Sequence, residues 1–285
     1  MSGRVKIEQE FWKDIRPKRL PLTLFIPQHI GAWAWALGQK GNPLLCVEGP
    51  TPIYRSEVYK ECFAKGLFDR MCVVKDWSGV HERFVDWVTN PKDIWQLLFD
   101  LVTVKEFVVE EPLRSLIDQG LMFTEFYRAL WEIRFLLREQ EGASEKTLQT
   151  DAFTKSLVQW MAQKPLTKKN RKALDKAHIS RELATSSERL DMLFFLLSLA
   201  KQNAVLNRMV IVYDGLESIL NQDPNIRQAQ LKDLLTLISG AERWARFGSP
   251  LGIIIGFPKE QGVLSSVRRH NAKLNTKIRA IKDHG

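Results

Sequence analysis

Residues 44–56 read Leu44-Leu45-Cys46-Val47-Glu48-Gly49-Pro50-Thr51-Pro52-Ile53-Tyr54-Arg55-Ser56. The stretch predicts a buried strand over Pro43–Glu48, a tight loop, and a helix from about Ser56 to Lys65 that Gly66 stops. Three further apolar runs share its character. Asp69–Lys75 carries Met71-Cys72-Val73-Val74, Arg208–Tyr213 carries Met209-Val210-Ile211-Val212-Tyr213, and Leu251–Ile255 closes on Gly256-Phe257-Pro258. None alternates apolar with polar residues, so each is expected to be covered on both faces. With helices between them, such strands imply a parallel α/β sheet. The expected fold is α/β, with a sheet core drawn from both ends of the chain and a large helical insertion.

From Trp77 to Asn207 the chain reads almost wholly helical, with apolar residues recurring at three and four spacing, as in Asp93–Phe99 and Phe123–Leu137. Phe107-Val108-Val109 is a candidate brief strand, and Glu141–Glu145 is a polar break. Thr185-Ser186-Ser187-Glu188 fits a capping box. The helix it opens, through Leu190 and Met192–Leu197, is apolar on most faces and predicted to be buried on more than one side. Gln228–Phe247 reads as an amphipathic helix ended by Gly248, and a short helix is expected over Gln28–Leu37. These readings divide the chain into an irregular basic leader (1–27), a core (28–77 and 185–260), a helical insertion (78–184) and a basic tail (261–285). The leader owes its irregularity to Arg16-Pro17-Lys18-Arg19-Leu20-Pro21, since each proline disfavours helix in the residue before it.

The chain has 285 residues, 45% hydrophobic and 26% charged, within the ordinary range of a globular protein. No apolar run reaches the roughly 18 residues of a membrane span. The N-terminus, polar and mixed in charge, does not read as a secretory signal. Cys46, Cys62 and Cys72 have no metal-ligand spacing and are expected to be free thiols in a reducing, cytoplasmic setting. The net charge of +9 favours a polyanionic partner, most simply nucleic acid. Two basic stretches would carry that contact. One is Lys164–Lys176, with Lys168, Lys169, Arg171 and Lys172, read as a solvated loop or a nucleic-acid contact. The other is the tail, with Arg268, Arg269, Lys273 and Lys277. Most of the nine tryptophans fall among apolar neighbours, which favours packing or a protein interface over base stacking.

The last eight residues of the opening stretch fit G-x-x-x-x-G-K-[ST] at three points: Gly49, the basic Arg55, and Ser56. The second signal is Asp214, which ends the Met209–Tyr213 run. An aspartate there either holds a magnesium shell or caps the next helix. The two strands are expected to lie side by side, both opening at the carboxyl edge where α/β sheets bind ligands. Elsewhere the five histidines are scattered, and neither H-x-x-x-H nor G-x-S-x-G occurs, which leaves metal-hydrolase and serine-hydrolase chemistry without residues.

The order of loop strand, second strand, aspartate strand and fourth strand, with Gly49-Pro50, resembles the additional-strand phosphate-loop ATPases. It resembles especially the AAA+ and related ATPases, which include initiator, helicase-loader and transposition-regulator proteins. The resemblance covers residues 28–75 and 185–260, and implies a parallel-sheet P-loop NTPase-like core. It implies that Gly49, Arg55 and Ser56 bind phosphate, and that Ser56 and Asp214 hold magnesium when nucleotide is present. The chain departs from the pattern at four functional positions. Pro52 offers no N–H to a phosphate. Tyr54 stands where a glycine would allow positive φ and close approach. Gly215 replaces the glutamate that polarises water, and Gly256-Phe257-Pro258 supplies no polar γ-phosphate sensor. Arg55 keeps the charge of lysine in a larger planar fork. The stretch after Pro258 is also short for the helical lid of the family.

Four altered positions argue against efficient hydrolysis. The resulting expectation is a degenerate, AAA+-like ATPase fold. It acts as a non-catalytic binding or assembly subunit in a nucleic-acid-associated complex, with no cofactor or with weakly held ATP and magnesium. Protein partners are expected on the helical insertion, and no membrane partner. Two alternatives stay open. One is an active ATP-dependent DNA-binding regulator or loader that oligomerises, with Arg243 or Arg246 bridging subunits. The other is a structural interaction protein without nucleic-acid contact.

Overall fold

Four short apolar runs without alternation can be stable only when both faces are covered, and the chain supplies helices to cover them. In the computed structural model the described residues are 44–49, 69–74, 79–140, 142–162, 164–176, 178, 179, 182, 183, 185–258 and 262–277. They are mostly helical, with one parallel sheet. They divide into two compact units. One holds the described residues among 1–80, 207–246 and 250–285, and the other those among 81–206 and 247–249. No helix among the described residues is long and apolar enough to cross a membrane. The expected helices over 28–37 and 56–65, and the leader, lie outside the described residues.

The first unit contains the sheet: β1 (Leu44–Gly49), β2 (Arg70–Val74), β3 (Met209–Asp214) and β4 (Leu251–Pro258). All pairs are parallel and the order is β1-β4-β3-β2. The aspartate strand therefore does not lie beside the loop strand, as the sequence reading expected. β4 is inserted between them, pairing Cys46 with Ile255 on one side and Tyr213 with Ile255 on the other. A central place suits β4, since Ile253, Ile254 and Ile255 are fully buried, as are Val210–Tyr213 of β3. The start of β3 is pinned by Asp69, whose carboxylate accepts from the Asn207 N–H at 2.5 Å and the Arg208 N–H at 2.7 Å.

The second unit is helical: α1 (Val80–Val88, which starts at the unit boundary), α2 (Pro91–Thr103), α3 (Glu111–Gln119), α4 (Leu121–Arg138), α5 (Glu145–Thr150), α6 (Ala152–Met161), α7 (Lys168–Lys176) and α8 (Ser186–Gln202). α8 has the capping box read from its sequence. The Thr185 hydroxyl accepts from the Glu188 N–H, and the Glu188 carboxylate accepts from the Thr185 N–H. Ten of its residues, Leu190 and Met192–Ala200, are buried, so its middle turns are covered on every face. The division places α8 with the helices, whereas the sequence reading grouped 185–260 with the sheet.

Two local expectations change. Lys164–Lys176 is not a loop from end to end, because α7 starts at Lys168 after Thr167 accepts the Asn170 N–H. Phe107-Val108-Val109 is not a strand. Its partner is a side chain: the Asn203 amide donates to the Val108 carbonyl at 2.8 Å and accepts the Val108 N–H at 2.7 Å.

After β3 the first unit continues with α9 (Glu217–Leu220) and α10 (Pro224–Ala245), then β4, α11 (Val263–His270) and α12 (Ala272–Lys277). α10 begins four residues before the expected Gln228, because Asp223 caps it and Pro224 takes the first helical position.

Candidate functional site

Parallel strands put all their carboxyl ends on one edge, so Gly49 of β1 and Asp214 of β3 share that edge with Gly256–Pro258 of β4. Val47, Gly256 and Asp214 stand in one register row, and Gly49 lies two residues further along. Two strand spacings sideways and two residues along put Gly49 about 12 Å from Asp214 at Cα. Arg55 and Ser56, with the rest of the loop from Pro50, lie outside the described residues.

The chain leaves β3 in a defined way. The Gly215 and Leu216 N–H groups both donate to the Gly256 carbonyl, at 3.0 and 3.1 Å, and the Ser218 N–H donates to the Gly215 carbonyl at 2.8 Å. This turn needs Gly215 at φ 81°, in the left-handed region. The position after the strand aspartate, where the resemblance implies a glutamate, thus has a backbone that disfavours any side chain. Glu217 opens α9 instead, with its Oε1 3.7 Å from where a Cβ on residue 215 would stand. Gly215→Ala is expected to cost about 1–2 kcal/mol through the backbone alone. Gly215→Glu is expected to cost more, because the new carboxylate meets Glu217. Urea unfolding of the two variants checks this, and equal stability to the parent chain would contradict it.

The basic candidates divide between the units. On α7, Lys168, Lys169 and Lys172 are exposed, whereas Arg171 is half-buried and paired with acids, 3.2 Å from Asp175 and 3.7 Å from Glu182. Arg171 is therefore held by its own unit. In the other unit, Arg268, Arg269 and His270 are exposed in the last turn of α11, Lys273 is exposed on α12, and Lys277 is its final residue. Arg243 and Arg246 stand exposed at the C-terminal end of α10, where cations suit the helix dipole.

The sequence reading passed over Arg134. It falls on the buried face of α4, among Phe126, Leu130, Ile133 and Leu137, and is 6% exposed. The signal was available, since an arginine in phase with an apolar helix face must either find partners or be driven out. Its Nη1 donates to the Val102 carbonyl at 2.6 Å and its Nη2 to the Lys105 carbonyl at 3.2 Å, which closes the end of α2. The guanidinium also lies 5.6 Å from the Trp131 ring centroid. Burial, and then the neighbouring Arg138 charge, lower its pKa below the ordinary arginine value. On α8, burial likewise lowers Arg189, while Glu82 and Asp86 act in the opposite direction.

Compared with protein-family models, curated proteins and solved structures, the chain gives no match.

Proposed function

We propose that the first unit is a P-loop NTPase-like scaffold of the additional-strand, AAA+-like class with degenerate nucleotide motifs. It serves as a non-catalytic binding or assembly subunit in a nucleic-acid-associated complex. The observation that carries this reading is the strand order β1-β4-β3-β2, all parallel, with Gly49 and Asp214 on one edge. An extra strand between loop strand and aspartate strand is what the class name denotes, and β4 holds that place. Loss of catalysis is supported by Gly215, whose positive φ leaves no relaxed position for a water-polarising glutamate. The exposed Arg268, Arg269 and Lys273 support a phosphate-backbone contact. Exposed Leu121, Trp131 and Phe135 on α4 support a protein partner for the helical unit.

Purified protein is expected to turn over ATP at background, with Asp214→Ala leaving that background unchanged. A rate of about 1 per second or more, abolished by Asp214→Ala, would establish the active ATPase instead. Binding to a nucleic-acid duplex is expected to weaken as salt rises. Arg268→Glu with Arg269→Glu should lower the salt slope by about 1 for each phosphate that is no longer neutralised. No binding even at low salt would favour the structural interaction protein.

A further inference from the structure

The helical unit has its own concentration of positive charge around an open cleft. An open cavity of about 450 Å³ lies where the end of α2 meets the C-terminal half of α4. Lys105, Arg134 and Arg138 line it, with Phe99, Val102 and Leu137 as apolar wall. None of its described lining residues is acidic. Glu106 and Glu139, the acidic neighbours in the chain, are exposed and are not lining residues, and Glu141 lies outside the described residues.

Arg134 makes the cavity more than a surface hollow. It is more than nine-tenths buried, it bonds only to backbone carbonyls, and its buried Nε has no partner among the described residues. A buried charge without a counter-charge is costly, and the neighbouring Arg138 charge adds to that cost. The C-terminal end of α2 offsets part of it, by about half an elementary charge. Arg134 is the buried cation of the three, while Lys105 and Arg138 are exposed and add positive potential around it. A phosphate monoester, carrying about −1.5 to −2 at neutral pH, meets this potential more strongly than a monovalent carboxylate does. Arginine's planar fork matches phosphate oxygens. The volume exceeds a bare phosphate and falls within the range of small-ligand pockets. Phe99, Val102 and Leu137 offer an apolar body a place to rest.

We propose that this cavity binds a small organic phosphate, with the phosphate held by Arg134, Arg138 and Lys105 and the organic part against Phe99, Val102 and Leu137. The site belongs to the helical unit and does not depend on the sheet-edge reading.

The test is calorimetric titration of the full chain with adenosine monophosphate, inorganic phosphate, adenosine and citrate. Adenosine monophosphate should bind, inorganic phosphate more weakly, and adenosine not at all. Arg134 variants would also loosen the end of α2, so the exposed residues carry the test. Arg138→Glu and Lys105→Glu should each weaken adenosine monophosphate by about tenfold or more, with unchanged thermal unfolding. Ser56→Ala and Asp214→Ala should not weaken it, which separates this site from the sheet edge. The proposal is overturned if adenosine monophosphate fails to bind at millimolar concentration. It is equally overturned if adenosine or citrate binds as well, or if the sheet-edge variants rather than Arg138→Glu and Lys105→Glu abolish binding.

Discussion

Phe195→Ala is expected to lower the stability of the helical unit by about 3–5 kcal/mol. Phe195 is fully buried at the middle of α8. Its ring centroid lies 4.9 Å from that of Phe123 and 6.2 Å from that of Phe126, both on α4. Phe126 in turn stacks on Trp160 of α6 at 6.5 Å. Removing the Phe195 ring leaves these partners facing a void that packed helices close only partly, so the cavity cost adds to the lost transfer energy. Phe195→Leu fills most of that volume and should cost less, about 1 kcal/mol. Urea unfolding followed by circular dichroism gives the energies. Hydrogen exchange locates them, with faster exchange expected in 121–138, 152–161 and 186–202. An Ala variant within 1 kcal/mol of the parent would show that α8 is not the packing centre of this unit.

That α8 would be buried on several sides was legible because the evidence for it is local. The capping box fixes where the helix starts, and an apolar run that ignores the 3.6 period leaves no face for water. The four strands were legible for the same reason. Their order was not. Parallel pairing is made by backbone groups that every run offers equally, and nothing in Met209–Asp214 says whether its neighbour is Leu44–Gly49 or Leu251–Pro258. Loop strand and aspartate strand were therefore expected to touch, while β4 takes the central position between them. Phe107–Val109 misled for a related reason. The partner of its backbone is the Asn203 amide, which no strand pattern encodes. On α7 the charge drew attention away from the helix signals at Thr167 and at the Arg171–Asp175 pair four residues apart. The shared edge of Gly49 and Asp214 followed from the strands being parallel. Arg134 was passed over although its phase with Phe126, Leu130, Ile133 and Leu137 was legible, because binary patterning sorts a helix face as apolar or polar and has no category for a cation set into the apolar side.

Tyr213→Ala is the counterpart in the sheet unit, also with an expected loss of about 3–5 kcal/mol. Tyr213 is among the largest side chains buried below 2% exposure, and it stands directly before Asp214. Its backbone is in register with Val74 of β2 and Ile255 of β4, so it occupies the last complete row of β2, β3 and β4 before the edge. Its hydroxyl donates to the Val80 carbonyl at 2.9 Å, tying the end of β3 to the chain that leaves β2. Tyr213→Phe separates the two contributions. It keeps the ring and removes only the hydrogen bond, leaving the buried Val80 carbonyl without that donor, at an expected cost of about 1–2 kcal/mol. The larger loss in the alanine variant is then the ring. The consequence for the candidate site is directional. Asp214 is positioned by the row beneath it, so any nucleotide binding at this edge should survive Tyr213→Phe and fall with Tyr213→Ala, even where the latter remains folded at low temperature. Chemical denaturation of both variants, with nucleotide titration of each, decides it. Equal losses from Phe and Ala would mean that the hydrogen bond to Val80, rather than the packed ring, holds the end of β3 in place.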